Sequence, residues 1–192
     1  MASALRKSSF DMVPNAQPSN NNIALGQFVR DVVDFPKPGI LFRDITPLLG
    51  DACAMSSAIE QLLAPWRETE IDRIAAVEAR GFLFAAPMAI ALGVGLIPIR
   101  KPGKLPFVTI SHEYALEYGT DRLEMHADSL TSGQRVLLVD DVLATGGTAG
   151  ACATLVERSG AKVVGCAFLL EIKALGGRER LSPHRIESVL VY

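Results

Sequence analysis

The chain has 192 residues, 49% of them hydrophobic, and a formal charge of −2; that is enough for one good core and short for two. Such a composition is that of a soluble globular protein, and a near-neutral charge argues against nucleic acid, which calls for a basic face. The most apolar run, Phe84 to Ile99, is shorter than a bilayer span and is broken by Pro87, Gly93, Gly95 and Pro98, so no membrane role is expected.

Residues 1–22 are rich in Ser, Asn and Pro and lack periodicity. They read as a loosely ordered tail. Arg6 and Lys7 with a single acid, Asp11, leave a transit sequence open, but a plain tail is favoured. Leu25, Phe28, Val29, Val32 and Val33 trace a helical face that should end before Pro36. Pro36, Pro38 and Gly39 then impose a loop. Asp51 is placed to cap a helix whose inner face is Met55, Ala58, Ile59, Leu62 and Leu63. Ile74 to Val77 is a short strand ending at Glu78. A helix follows, in which Pro87 is expected to be tolerated only in the first turn. Val94 to Ile99 is the next strand.

Lys101 to Pro106 is a basic Pro/Gly turn, and Phe107 to Glu124 alternates as a hairpin or flap would. Val136 to Val139 is continuously apolar, the pattern of a strand covered on both faces. Ala149, Cys152, Leu155 and Val156 mark the next helical face. Lys162 to Leu170 is a strand, Gly176-Gly177 a turn, and Ile186 to Val191 a last strand. Alternating strands and helices predict an α/β fold with a mostly parallel sheet flanked by helices, in one domain over residues 23–192. Cys53, Cys152 and Cys166 are odd in number and scattered, as reduced core thiols of a cytoplasmic protein would be. His112, His126 and His184 have no metal-ligand spacing.

Chemistry concentrates after Val139. Asp140 and Asp141 should sit where the strand emerges, and ligands of open α/β sheets gather at carboxyl ends. Thr145, Gly146, Gly147 and Thr148 follow and should open a helix. Free N–H groups and the helix dipole there attract an anion. The glycines let backbone approach phosphate oxygens, and the threonines add hydroxyls. A sugar phosphate satisfies both halves: loop for the phosphate, acids for ring hydroxyls. The plainer reading is a Gly-rich connection beside solvated acids. The acid pair joined to this loop after a buried strand argues against it. Thr148 and Ala149 stand where a Walker A loop needs Lys and Ser/Thr. In a dinucleotide fold the ribose acid comes after the loop, which disfavours an oxidoreductase.

This segment resembles the phosphoribosyl pyrophosphate (PRPP) signature of type I phosphoribosyltransferases. Asp34-Phe-Pro-Lys-Pro-Gly-Ile-Leu-Phe-Arg-Asp-Ile-Thr-Pro47 narrows the likeness to the adenine phosphoribosyltransferases. So do Glu78-Ala-Arg-Gly-Phe-Leu-Phe84, Arg100-Lys-Pro-Gly-Lys-Leu-Pro106 and Leu116-Glu-Tyr-Gly119. Order and spacing match from about Phe28 to the C-terminus. The resemblance implies a small N-terminal hood over about residues 23–50, a β flap over about 105–124, and a homodimer.

It also implies a reaction: adenine plus PRPP gives AMP plus pyrophosphate, as in purine salvage. Asp140 and Asp141 would hold the ribose, and Ala144, Thr145, Gly146, Gly147 and Thr148 the 5-phosphate. Ala79, Arg80, Arg100, Lys101 and Lys104 would balance pyrophosphate, with Arg100 reaching the neighbouring subunit's site. A strained or cis peptide is expected near Glu78-Ala79. Leu41, Phe42 and Arg43 would contact adenine, with Val142 covering its other face. Glu117 would be the catalytic acid or base, and Tyr118 would help close the flap. Mg²⁺ would enter with PRPP rather than in a protein cage. A phosphoribosyltransferase for another purine would share the signature but lack the Asp34–Pro47 segment. A PRPP-sensing regulator usually adds a DNA-binding helix pair or a basic RNA face, for which only the short tail remains.

Overall fold

The computed structural model describes residues 23–115 and 119–192. The tail, Glu117 and Tyr118 lie outside the described residues. A 3₁₀ turn over Leu25–Phe28 leads into β1 (Arg30–Val33) and β2 (Leu41–Asp44). Helices α1 (Thr46–Gly50) and α2 (Ala52–Leu63) precede β3 (Arg73–Val77), α3 (Gly81–Leu92) and β4 (Gly95–Ile99). A hairpin of β5 (Thr109–Ala115) and β6 (Thr120–His126) comes next. The chain then forms β7 (Arg135–Leu143), α4 (Gly147–Arg158), β8 (Lys162–Glu171), α5 (Gly177–Arg180) and β9 (Ile186–Val191).

The central sheet is parallel, in the order β4-β3-β7-β8-β9. Strand β7 lies at its centre, which accounts for its unbroken apolar run. Val136 and Leu138 pack with α4 residues such as Cys152 and Leu155. Leu137 and Val139 pack on the other face with Phe84 and Met88 of α3 and Leu62 of α2. From β3 the chain steps through α3 to β4, and from β7 through α4 to β8. The connections diverge from between β3 and β7, so a crevice opens there at the carboxyl ends.

Four expectations need correction. Val29, Val32 and Val33 do not continue a helix. Val32 pairs with Phe42 and Val33 with Leu41 in an antiparallel ribbon. β-branched residues with a partner strand within reach favour extended backbone. Pro87 lies well inside α3, so Leu83's carbonyl lacks its usual helical donor. Burial of Phe84, Ala85, Met88 and Ala89 offsets that loss. The acid pair lies within β7, which continues to Leu143. Pairing with β3 stops at Val139, while pairing with β8 runs to Leu143. One edge of β7 is therefore unpaired from Asp140 onward, and the acids lie along it without leaving the strand. Finally, Cys53 is exposed, unlike buried Cys152 and Cys166.

Asp51 does cap α2: its carboxylate accepts a bond from Ala54 N at 2.8 Å. Among the described residues no helix is long and apolar enough to cross a membrane.

Candidate active site

Where β3 and β7 part, a cavity of about 300 Å³ opens at their carboxyl ends. Asp140 and Asp141 line it beside Ala144 to Thr148, so acids and loop share one space. Gly146 has φ +77° and caps α4. The first helical bond runs from Gly150 N to Gly146 O at 2.8 Å. The N–H groups of Gly147, Thr148 and Ala149 thus precede the helix's own ladder and are free to meet an anion.

The loop is braced by a feature the sequence showed only as a turn. A Cβ on Gly177 would stand 2.2 Å from Ala144 O and 3.0 Å from Gly146 N. Only glycine admits this backbone-to-backbone approach. The brace is anchored by Glu171 at the end of β8, which accepts bonds from Arg178 Nη2 (2.6 Å) and Nε (3.0 Å). The Arg178 guanidinium, working against burial, holds the Glu171 carboxyl below its usual range. Gly81 has a similar duty: a Cβ there would lie 2.8 Å from Asp140 Oδ1.

Asp141 is buried and forms a short ion pair with Arg80 Nε. Asp140 Oδ1 accepts a bond from Asp141 N at 2.9 Å. Burial, and then the charge on Asp141, push the Asp140 carboxyl well above its ordinary range. The Glu78–Ala79 peptide is cis, as expected, and Ala79 and Arg80 line the cavity beside Lys101. Glu78 also lines it, a role the sequence did not show. Burial opposes Glu78's charge, but bonds from Arg100 Nη2 (2.8 Å) and Lys101 N outweigh it and lower its pKa.

Arg100 therefore holds Glu78 within its own chain and does not line the cavity, and neither does Lys104. The Lys104 carbonyl accepts a bond from Arg100 at 3.3 Å. Lys101 Nζ forms an ion pair with Asp121. Phe42 meets Phe35 edge-on at 5.1 Å and lies 5.9 Å from the Arg80 guanidinium, but does not line the cavity. Val142 lines the cavity itself. Leu41 and Arg43 alternate to the other face of β2. Leu41 is exposed, while Arg43 pairs with Asp31 and lies 4.1 Å over the Tyr192 ring. Among the described residues no group of three or more His, Cys, Asp or Glu could hold a metal ion.

Fold and cavity together define an α/β protein with two acids and an amide-rich loop gathered at the switch point of a parallel sheet. The phosphoribosyl transferase domain matches residues 49–188. The adenine phosphoribosyltransferase of Methylococcus capsulatus is 57% identical over 164 residues, covering 85% of this chain and 96% of the relative. That of Rhodopirellula baltica is 55% identical over 168 residues, 88% of this chain and 82% of the relative. The crystal structure of adenine phosphoribosyltransferase from Thermoanaerobacter pseudethanolicus superposes with a TM-score of 0.86 at 52% identity, covering 88% of this chain and 98% of that one. The Giardia lamblia enzyme complexed with 9-deazaadenine gives 0.83 at 34% identity, covering 88% and 96%. The chain belongs to the phosphoribosyltransferase family, within its adenine phosphoribosyltransferases.

Proposed function

We infer that the protein transfers the 5-phosphoribosyl group of PRPP to adenine, releasing pyrophosphate and giving AMP. The observation that supports this best is the shared cavity, where two carboxylates and a helix-opening amide loop lie together. No observation favours another purine or a non-enzymatic sensor.

The 5-phosphate fits the Ala144–Thr148 loop, whose free N–H groups need an anion. Asp140 and Asp141 accept bonds from the ribose hydroxyls and favour positive charge on the sugar. The bond from the anomeric carbon to pyrophosphate breaks as a purine nitrogen bonds that carbon from the opposite face. The transition state resembles an oxocarbenium ion, as in glycoside chemistry. Ala79, Arg80 and Lys101 receive pyrophosphate, with Arg100 and Lys104 adding positive field. Adenine lies between Phe42 and Val142, with Leu41 and Arg43 contributing backbone. Glu117 takes the proton that adenine releases, and Tyr118 closes the flap (residues 105–124) over the site while the hood (residues 23–50) covers the base. Closure excludes water, which would otherwise take the ribosyl group.

Mg²⁺ would enter with PRPP, held mostly through pyrophosphate and ribose oxygens and waters rather than by a protein cage. When bound, it neutralises charge on the departing pyrophosphate. The protein acts as a cytoplasmic homodimer in purine salvage; in that arrangement Arg100, which bonds Glu78 in its own chain, reaches the neighbouring site by releasing that bond. One assay tests the set. Protein of measured solution mass is incubated with PRPP and a panel of purines, with Mg²⁺ or a chelator, and products are separated by chromatography. AMP should form from adenine in Mg²⁺, with guanine and hypoxanthine hardly used. Guanine preference would overturn the base assignment, full activity in chelator the metal, and a monomeric mass the dimer.

A further inference from the structure

One buried phenol links the hairpin to two different parts of the cavity. The Tyr114 hydroxyl donates to Asp121 Oδ2 at 3.1 Å and lies 3.4 Å from Thr148 Oγ1. The same Asp121 oxygen accepts from Lys101 Nζ. Thr148 and Lys101 both line the cavity, while Tyr114 and Asp121 do not. Tyr114 and Asp121 face each other across β5 and β6, and Glu117 and Tyr118 lie between them in sequence. The Tyr114 ring packs against the loop as well: its Cδ2 lies 3.8 Å from where a Cβ on Gly147 would be.

The protonation chemistry agrees with the geometry. Lys101 holds the Asp121 carboxyl below its usual range; burial lowers the lysine, but Asp121 and Tyr114 together raise it above its own. Burial raises the Tyr114 phenol, which keeps it a donor. Among the described residues Lys101 Nζ has no other carboxylate partner. A lysine stem has four flexible carbons, so an ammonium held in advance loses less freedom when an anion arrives.

We propose that Tyr114 and Asp121 are positioning residues, fixing Thr148 and Lys101 so that the two ends of PRPP are met by prearranged groups. This rests on the reading of the cavity as the PRPP site. It also ties the root of the flap to both phosphate contacts. Each link is a single hydrogen bond or ion pair, worth a change in affinity of about three- to ten-fold.

The test is steady-state kinetics on Tyr114→Phe and Asp121→Asn, with the latter repeated in a Lys101→Met background. Tyr114→Phe keeps the ring, so thermal unfolding should stay near wild type. KM for PRPP should rise roughly three- to ten-fold, with kcat and KM for adenine within about twofold. Asp121→Asn should raise KM for PRPP in the wild-type background and have little further effect once Lys101 is Met. A wild-type KM for PRPP in folded Tyr114→Phe would overturn the proposal. So would an Asp121→Asn effect of equal size in both backgrounds. Wild-type protein that makes no AMP would instead overturn the functional reading on which the proposal rests.

Discussion

The brace beneath the Ala144–Thr148 loop offers the sharpest test of how this site is held. In Gly177→Ala, the new methyl would sit 2.2 Å from Ala144 O, 2.8 Å from Leu143 Cδ1 and 3.0 Å from Gly146 N. Ordinary contact begins near 3.4 Å, so something must move by about an ångström. Two of the three, Ala144 O and Gly146 N, are backbone, and the packing around them is held by the Ile172 N to Leu143 O bond at 2.9 Å and by Arg178 on Glu171. Leu143 Cδ1 is a side-chain end that can turn aside, but the Ala144 carbonyl, the closest atom, is not. Overpacking of this kind costs about 1–3 kcal/mol. For a chain of this length each kcal/mol lowers the unfolding midpoint by about 2–4 °C, so the expected drop is roughly 2–12 °C. Any displacement falls on Ala144 and Gly146, so KM for PRPP should rise at least several-fold while KM for adenine hardly moves. Gly50→Ala is the control, since nothing lies within 4 Å of a Cβ there. Thermal unfolding by circular dichroism and kinetics with varied PRPP measure both effects. If Gly177→Ala melts with Gly50→Ala and binds PRPP normally, the brace does not hold the loop.

Burial beside Asp141 makes the Asp140 carboxylate costly to the folded chain. Its folded-state pKa lies well above the ordinary 3.8. Its stabilising contribution is therefore complete below about 3.8 and lost as pH rises through the folded value. At neutral pH the charge is a burden on the empty protein, so Asp140→Asn should melt higher than wild type near pH 7.5. The gap should close in acid, where Asp140 is neutral, and PRPP binding should weaken throughout. An equal or lower neutral-pH midpoint would refute this. Glu117→Gln should lower kcat by about 10²-fold or more, as loss of a general acid or base does, with KM for PRPP little changed. Unchanged turnover would remove Glu117 from catalysis.

Much of the molecule was legible from local pattern. The apolar run at Val136–Val139 marked a strand covered on both faces, and Asp51 marked a helix start. The place of the Thr145–Thr148 loop at the start of α4 was legible because its glycines and threonines are consecutive residues. The misreadings share a cause. Val32 and Val33 fit a helix or a strand, and only pairing with Phe42 and Leu41 decided between them. Pro87 breaks an isolated helix, but buried neighbours on both sides carried α3 through it. The end of β7 depended on where β3 stopped beside it.

By itself, the order of residues determined the alternation of strands and helices and the place of the amide loop, since these follow from hydrophobic period and backbone freedom within a few positions. It also named the acids. Only the folded chain decided what those acids touch: Arg80 reaches Asp141 across 61 residues, Tyr114 reaches Thr148 across 34, and Gly177 is packed beneath Ala144. Such contacts are set by how distant segments stack on a shared sheet, and no short window of sequence contains both partners.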